Sequence, residues 1–148
     1  MSLKLLVVSD SHGDYSTLKE IYYKHQECDY FFHLGDSCIP KYLLNNFAAV
    51  RGNCDFTDLP LKLNIDTKYG TIHLEHGHLL GLHLDEVLSK HYLMVLSGHT
   101  HVKDVKKLGS TWFFNPGSLT RPRDGDKGSY LIITINSEDD ISYEFEYI

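Results

Sequence analysis

A mixed α/β fold, α+β in character rather than a doubly wound sheet, follows from three features of the sequence. The apolar runs are short and closed by glycine or polar residues, which marks strands rather than helices. Through the first two thirds, those runs alternate with stretches of helical spacing. The last third offers consecutive strands with clearer polar and apolar alternation, as hairpins have. At 148 residues the chain fits one domain over 1–148.

The first expected strand covers 3–9, where Leu5, Leu6, Val7 and Val8 in a row imply burial on both faces. A helix over 14–27 follows, with Asp14 at the capping position and Leu18, Ile21, Tyr22 and His25 on one stripe. A strand at 29–35 precedes a second helix over 40–47, opened by Pro40 and closed at Asn45 and Asn46. Strands at 47–52, 61–66 and 70–77 come next, then a third helix over 83–92 and a strand at 92–98. Strands at 111–117, 129–135 and 141–148 end the chain. In the last of these, Phe145 and Tyr147 alternate with Glu144 and Glu146, so one face should be wet. The polar segment 120–128 is the loop long enough to reach over a site.

Composition excludes several classes of function. A net charge of −6 argues against stable nucleic-acid or membrane-surface binding, which needs a basic face. A small phosphorylated substrate stays compatible, because a bound cation inverts the local field. No run approaches the ~18 apolar residues of a membrane span, so no membrane partner is expected. Cys28, Cys38 and Cys54 are odd in number, lack C-x-x-C spacing and follow no leader-like segment. A reducing cytoplasm is therefore expected rather than a disulfide framework.

The chemistry gathers at strand ends. Asp10-Ser11-His12 follows the first strand, Gly35-Asp36 the second, and Gly52-Asn53-Cys54-Asp55 the third. His76-Gly77-His78 closes the strand at 70–77, and Gly98-His99-Thr100-His101 the one at 92–98. Ligands in α/β sheets bind outside the carboxyl ends of strands. Each element alone has an ordinary structural reading as a cap, a turn or a surface loop. Together they place Asp10, His12, Asp36, Asn53, His76, His99 and His101 where a site should form. Carboxylate, imidazole and one amide suit Mn, Fe, Zn, Co or Ni better than Ca or Mg. Seven candidate ligands are too many for one open ion and suit two, spaced by ~3.5–4 Å, that clamp a phosphoryl displacement. The i, i+2 spacing of each pair fits extended backbone, on which both side chains share a side.

Carried by those motifs and by Asn115-Pro116-Gly117-Ser118, the chain resembles the calcineurin-like metallophosphoesterases, and in length and in its GNCD motif the small YfcE-type branch. The resemblance implies a four-layer αββα sandwich of two mixed sheets flanked by helices. It implies two divalent metal ions, Mn foremost, with Asp10, His12, Asp36 and His101 on the first and Asp36 bridging to the second. Asn53, His76 and His99 would complete that second ion, and Asn53 would also orient a phosphate oxygen. A metal-bridging hydroxide would then attack a small phosphodiester in line. Larger members of the family carry a leaving-group histidine where this chain has Cys54, a poor proton donor at a pKa near ~8.5.

Among the remaining residues, His78 is a candidate for contact with substrate, and Cys54, Arg121 and Arg123 for binding it. His33 is read as a hydrogen-bonded core histidine, and His73 as facing solvent. His25, His83 and His91 are read as helix-surface residues, and Cys28 and Cys38 as small buried groups. The expected function is a metal-dependent phosphodiesterase, with a homo-oligomer compatible. The rival readings are a phosphomonoesterase, a 2′,3′-cyclic nucleotide phosphodiesterase, and a scaffold of the retromer-subunit type, which shares the fold with an incomplete metal site.

Overall fold

The computed structural model describes residues 2–148. Strands β1 (Leu3–Val8), β2 (Tyr30–His33), β3 (Ala48–Ala49), β9 (Ser129–Ser137) and β10 (Asp140–Tyr147) form one sheet in the order β10-β9-β1-β2-β3. Strands β4 (Lys62–Thr67), β5 (Gly70–Glu75), β6 (Met94–Leu96), β7 (Lys103–Leu108) and β8 (Thr111–Pro116) form the other, in the order β4-β5-β6-β8-β7. Both sheets are mixed. In the first, β1, β2 and β3 run parallel, and in the second β5, β6 and β8 do.

Strand alternation sorts the side chains into layers. Leu5 and Val7 face the core between the sheets, with Phe32, Leu74, Met94, Leu96 and Phe114. Leu6 and Val8 turn outward and pack with Leu18 and Ile21 of α1 (Tyr15–Lys24). On the opposite outer face, Val95 and Phe113 pack on Val87 of α2 (Leu84–Ser89). The result is the expected αββα sandwich. Full burial of each such Leu, Val or Phe contributes about 1.5–3 kcal/mol, so the doubly apolar β1 is held from both sides. Asp14 caps α1 as expected, accepting from Thr17 N at 3.0 Å.

Several elements differ from the sequence expectation. The strand expected over 47–52 is only Ala48–Ala49: Val50 N still bonds His33 O in the ladder, but Arg51 N turns to Pro60 O and leaves it. The second helix is a single 3-10 turn, Lys41–Leu44. Strand β7 was not expected: Lys103, Asp104, Lys106 and Lys107 give it no apolar run, and it forms by pairing with β8 as the sheet edge. His73 is buried rather than solvent-facing, stacked on Tyr92 at 4.7 Å. His25 is buried too, bonded to the Tyr130 hydroxyl at 2.8 Å where α1 ends. Cys38 is exposed; Cys28 is buried as expected.

Candidate metal centre

The parallel strands of both sheets end at the same edge of the sandwich, and there the loops interlock. Backbone bonds continue the β1–β2 pairing outward: Asp10 N donates to Gly35 O at 3.0 Å and His12 N to Asp36 O at 3.0 Å. From the second sheet, His99 N donates to Asp10 Oδ2 at 3.0 Å. Asp10, His12, Asp36, His99 and His101 all have positive φ, between 44° and 73°. The expectation of extended backbone at the paired ligands is therefore wrong. The side chains converge because the chain turns through left-handed conformations, a cost of order 1–3 kcal/mol each that clusters at functional sites.

Two of the imidazoles are oriented by bonds at their outer nitrogens. His76 Nδ1 donates to Leu34 O at 2.8 Å, and His101 Nδ1 to Arg121 O at 2.7 Å. In each neutral ring that leaves Nε2 as a bare acceptor aimed at the centre. Asp10 Oδ1 lies 3.2 Å from His101 Nε2 and 3.8 Å from the Nε2 atoms of both His12 and His76. It is buried and has no hydrogen-bond partner. His12 Nε2 and His101 Nε2 stand 3.4 Å apart, and His99 Nδ1 is 3.3 Å from His76 Nε2. Close-set imidazole nitrogens around a buried carboxylate oxygen with no hydrogen bond suit a cation.

Two groups of possible ligands result, Asp10–His12–His101 and Asp10–Asp36–His76. Asp10 belongs to both, whereas the family resemblance gives the bridge to Asp36. Burial works to raise the Asp36 carboxyl, but the His76 ring and the Cys54 N–H at 2.9 Å outweigh it and hold it far below the usual range. Burial likewise works against a charged His76, yet Asp36 and Asp10 raise its pKa. The same field seeks positive charge at this point.

Of the remaining predicted residues, His78 places its ring 5.5 Å from that of His76 and leaves its Nδ1 buried without a partner. His99 lies 5.1 Å from His76, ring to ring. Asn53 and Cys54 are exposed at the rim, and Asn53 Nδ2 reaches only Cys54 Sγ, at 3.7 Å. The negative charge of Asp36, then burial, raises the Cys54 thiol, so it is a still weaker acid than an ordinary cysteine. Arg121 and Arg123 are exposed, and both are anchored by their backbone: Arg121 O on the His101 ring and Arg123 N on His101 O at 2.9 Å. The loop over 120–128 thus reaches the centre. His33 is the core histidine expected, accepting Gly35 N–H at Nδ1 and meeting Ser11 Oγ at Nε2.

Sequence reasoning missed Asp55 and Ser9 among the residues that brace this edge, while the NPGS turn was read as structural support for the metal loop. Asp55 accepts from the backbone N–H groups of Asp36, Gly52 and Cys38 at 2.8–3.0 Å, tying the second and third loops together. Ser9 Oγ donates to Asp10 Oδ2 at 2.6 Å. Asn115 Nδ2 holds Gly98 O at 3.0 Å, and Ser118 Oγ holds Asp10 O at 2.8 Å, which gives the NPGS turn its bracing role. The fourth residue of the GNCD motif was the available signal for Asp55.

Comparison with known proteins agrees with this architecture. The chain is 32% identical over 147 residues to the probable metallophosphoesterase YsnB of Bacillus subtilis, covering 92% of this chain and 86% of that one. It is 28% identical over 158 residues to the phosphodiesterase YfcE of Escherichia coli K12, covering 86% and 85%. Among solved structures, a conserved Streptococcus pneumoniae protein described as a predicted phosphoesterase superposes with a TM-score of 0.85 at 26% identity, over 99% of each chain. A Vps29 variant from Entamoeba histolytica superposes at 0.74 with 19% identity over 99% of each chain, which shows the shared fold alone. Residues 3–138 match the calcineurin-like phosphoesterase superfamily domain, and the chain belongs to that superfamily.

Proposed function

We propose that this protein is a divalent-metal-dependent phosphoesterase that hydrolyses small phosphodiesters. The observation that carries the reading is Asp10 Oδ1, buried without a hydrogen bond and ringed by imidazole nitrogens that face the centre. Asp10, His12 and His101 would hold one ion, and Asp36, His76, His99 and Asn53 a second, with a carboxylate of the Asp10–Asp36 pair between them. The donor set fits Mn, Fe, Zn, Co or Ni, and Mn is the ion we expect to activate best. Bound there, such ions supply a nucleophile at neutral pH and charge stabilisation for phosphorus displacement.

The chain's own residues orient the rest. Asn53 at the rim positions a phosphate oxygen, and His78 faces the same phosphate from the opposite loop. Arg121 and Arg123 bring positive charge to a distal group of the substrate. Cys54 gives no effective proton to a leaving oxygen, which favours diesters whose leaving group departs readily. The net charge of −6 argues against long nucleic acids and for a small substrate.

Stripping the protein of metal and assaying bis(p-nitrophenyl) phosphate and p-nitrophenyl phosphate with and without Mn tests this. Metal-dependent cleavage with the diester ahead is expected. No turnover with any divalent ion would refute it and favour the second reading, a protein-interaction scaffold, which the fold shared with Vps29 supports. Ligand-capable side chains at all seven positions favour the enzyme.

A further inference from the structure

A second cluster of polar, titratable side chains lies outside the centre, on the sheet face that carries α2. Glu75 immediately precedes His76, and its carboxylate is almost wholly buried. Its Oε2 accepts from His73 Nε2 at 2.6 Å and from His83 Nε2 at 2.9 Å. His73 is itself held on its other side, by Asn64 Oδ1 of β4 at 2.6 Å and by the stacked Tyr92 ring. The carboxylate is therefore bonded to two imidazoles, one rigidly built into the sheet and one on the far end of a loop. Such charge-assisted bonds away from water are strong and directional.

The loop spanned is 77–82, and it carries His78. Short turn bonds shape it, Leu80 N to Gly77 O at 3.2 Å and Leu82 N to Leu79 O at 3.0 Å. Leu80 packs on the Val87, Val95 and Phe113 cluster, but Leu82 projects into solvent and Gly81 has open space around it. At the far end the His83 backbone opens α2, accepting from Val87 N at 3.1 Å, and the side chain of His83 adds the bond to Glu75. We propose that Glu75, gripped between His73 and His83, is a positioning residue that closes loop 77–82 and so sets where His78 meets the substrate phosphate. The inference rests on the phosphoesterase reading above and extends it to a residue that touches neither metal nor substrate.

His83 is the place to test it, because its removal leaves Glu75 bonded to His73 and the core intact. In the Mn-loaded protein with the chromogenic diester, His83→Ala should lower kcat about ten-fold with KM and Mn content per chain unchanged. His83→Gln, whose amide also donates to a carboxylate, should restore most of that loss. With His78→Ala in place, removing His83 should cost less than about two-fold, because residues that act through one another are not additive. Equal losses in the two backgrounds, or no rescue by Gln, would overturn the proposal. A second readout needs no turnover: in the metal-free protein, amide hydrogen exchange over 77–82 should quicken about ten-fold in His83→Ala. Unchanged exchange would overturn the proposal as well. Absence of activity in the unaltered protein would instead refute the phosphoesterase reading, with the exchange result still deciding the loop.

Discussion

Gly52 offers the sharpest test of the centre, since a single methyl group should displace Asp36. The third loop crosses so close to the second that a Cβ at Gly52 would run into Asp36 Oδ1 and N and stand 2.9 Å from Asp36 Cγ. Carbon atoms in contact need about 3.5–4.0 Å, so the carboxylate must retreat by roughly 1 Å. The backbone cannot absorb the shift cheaply, because Asp55 pins both Asp36 N and Gly52 N at 2.8 Å. A misplacement of about 1 Å costs on the order of 10²-fold in rate. Gly52→Ala should therefore lower Mn-dependent diester turnover about 100-fold and reduce the Mn retained after dialysis. Gly81→Ala, where the added methyl meets nothing within 4 Å, is the matched control and should stay within about 0.5 kcal/mol of the parent in stability. Turnover and metal content for Gly52→Ala close to those of the control would show that Asp36 does not depend on this close approach.

Three more expectations follow from the same geometry. Asp36→Asn removes a charge from the Asp10–Asp36–His76 group and should cut turnover by about 10³-fold or more with the far-UV circular dichroism unchanged; wild-type turnover would refute a role for this carboxylate. Cys54→His places an imidazole at the leaving-group position and should raise the monoester-to-diester rate ratio, while an unchanged ratio would remove Cys54 from the specificity argument. Burial pushes the His33 pKa from its ordinary 6.5 down to about 4, so between those values the unfolded chain takes up the proton first. The stability His33 allows above pH 6.5 is then lost as pH falls toward 4, on the order of 3 kcal/mol in all. Urea midpoints of the metal-free protein should drop more steeply over that range than those of His33→Asn, and parallel pH profiles would contradict this.

Much of the site was legible because each ligand motif closes an apolar run. Asp10, Asp36, His76 and His99 needed only the rule that ligands bind beyond strand ends. Errors came where tertiary contact overrides local pattern. His73 alternates as a solvent-facing residue would, but Tyr92 and Glu75 enclose it. Strand β7 lacks any apolar run because it is an exposed edge, where lysines deter pairing with other chains. His25 lies at the end of α1 and turns inward to meet the hydroxyl of Tyr130, from β9.

Residue types and their order along the chain were enough to give the mixed α/β class and the seven candidate ligands, and the family resemblance they carry implied the layered sandwich. Local sequence carries that information, since strand period and strand-end chemistry need no distant partner. Only the tertiary structure decided which nitrogen of each ring faces inward, because His76 is oriented by Leu34 O, from the other sheet, and His101 by Arg121 O, in a later loop. It also decided that Asp10 is common to both ligand groups and that Asp36 leans on Cys54. Those outcomes rest on contacts between loops far apart in the chain, which no local spacing encodes.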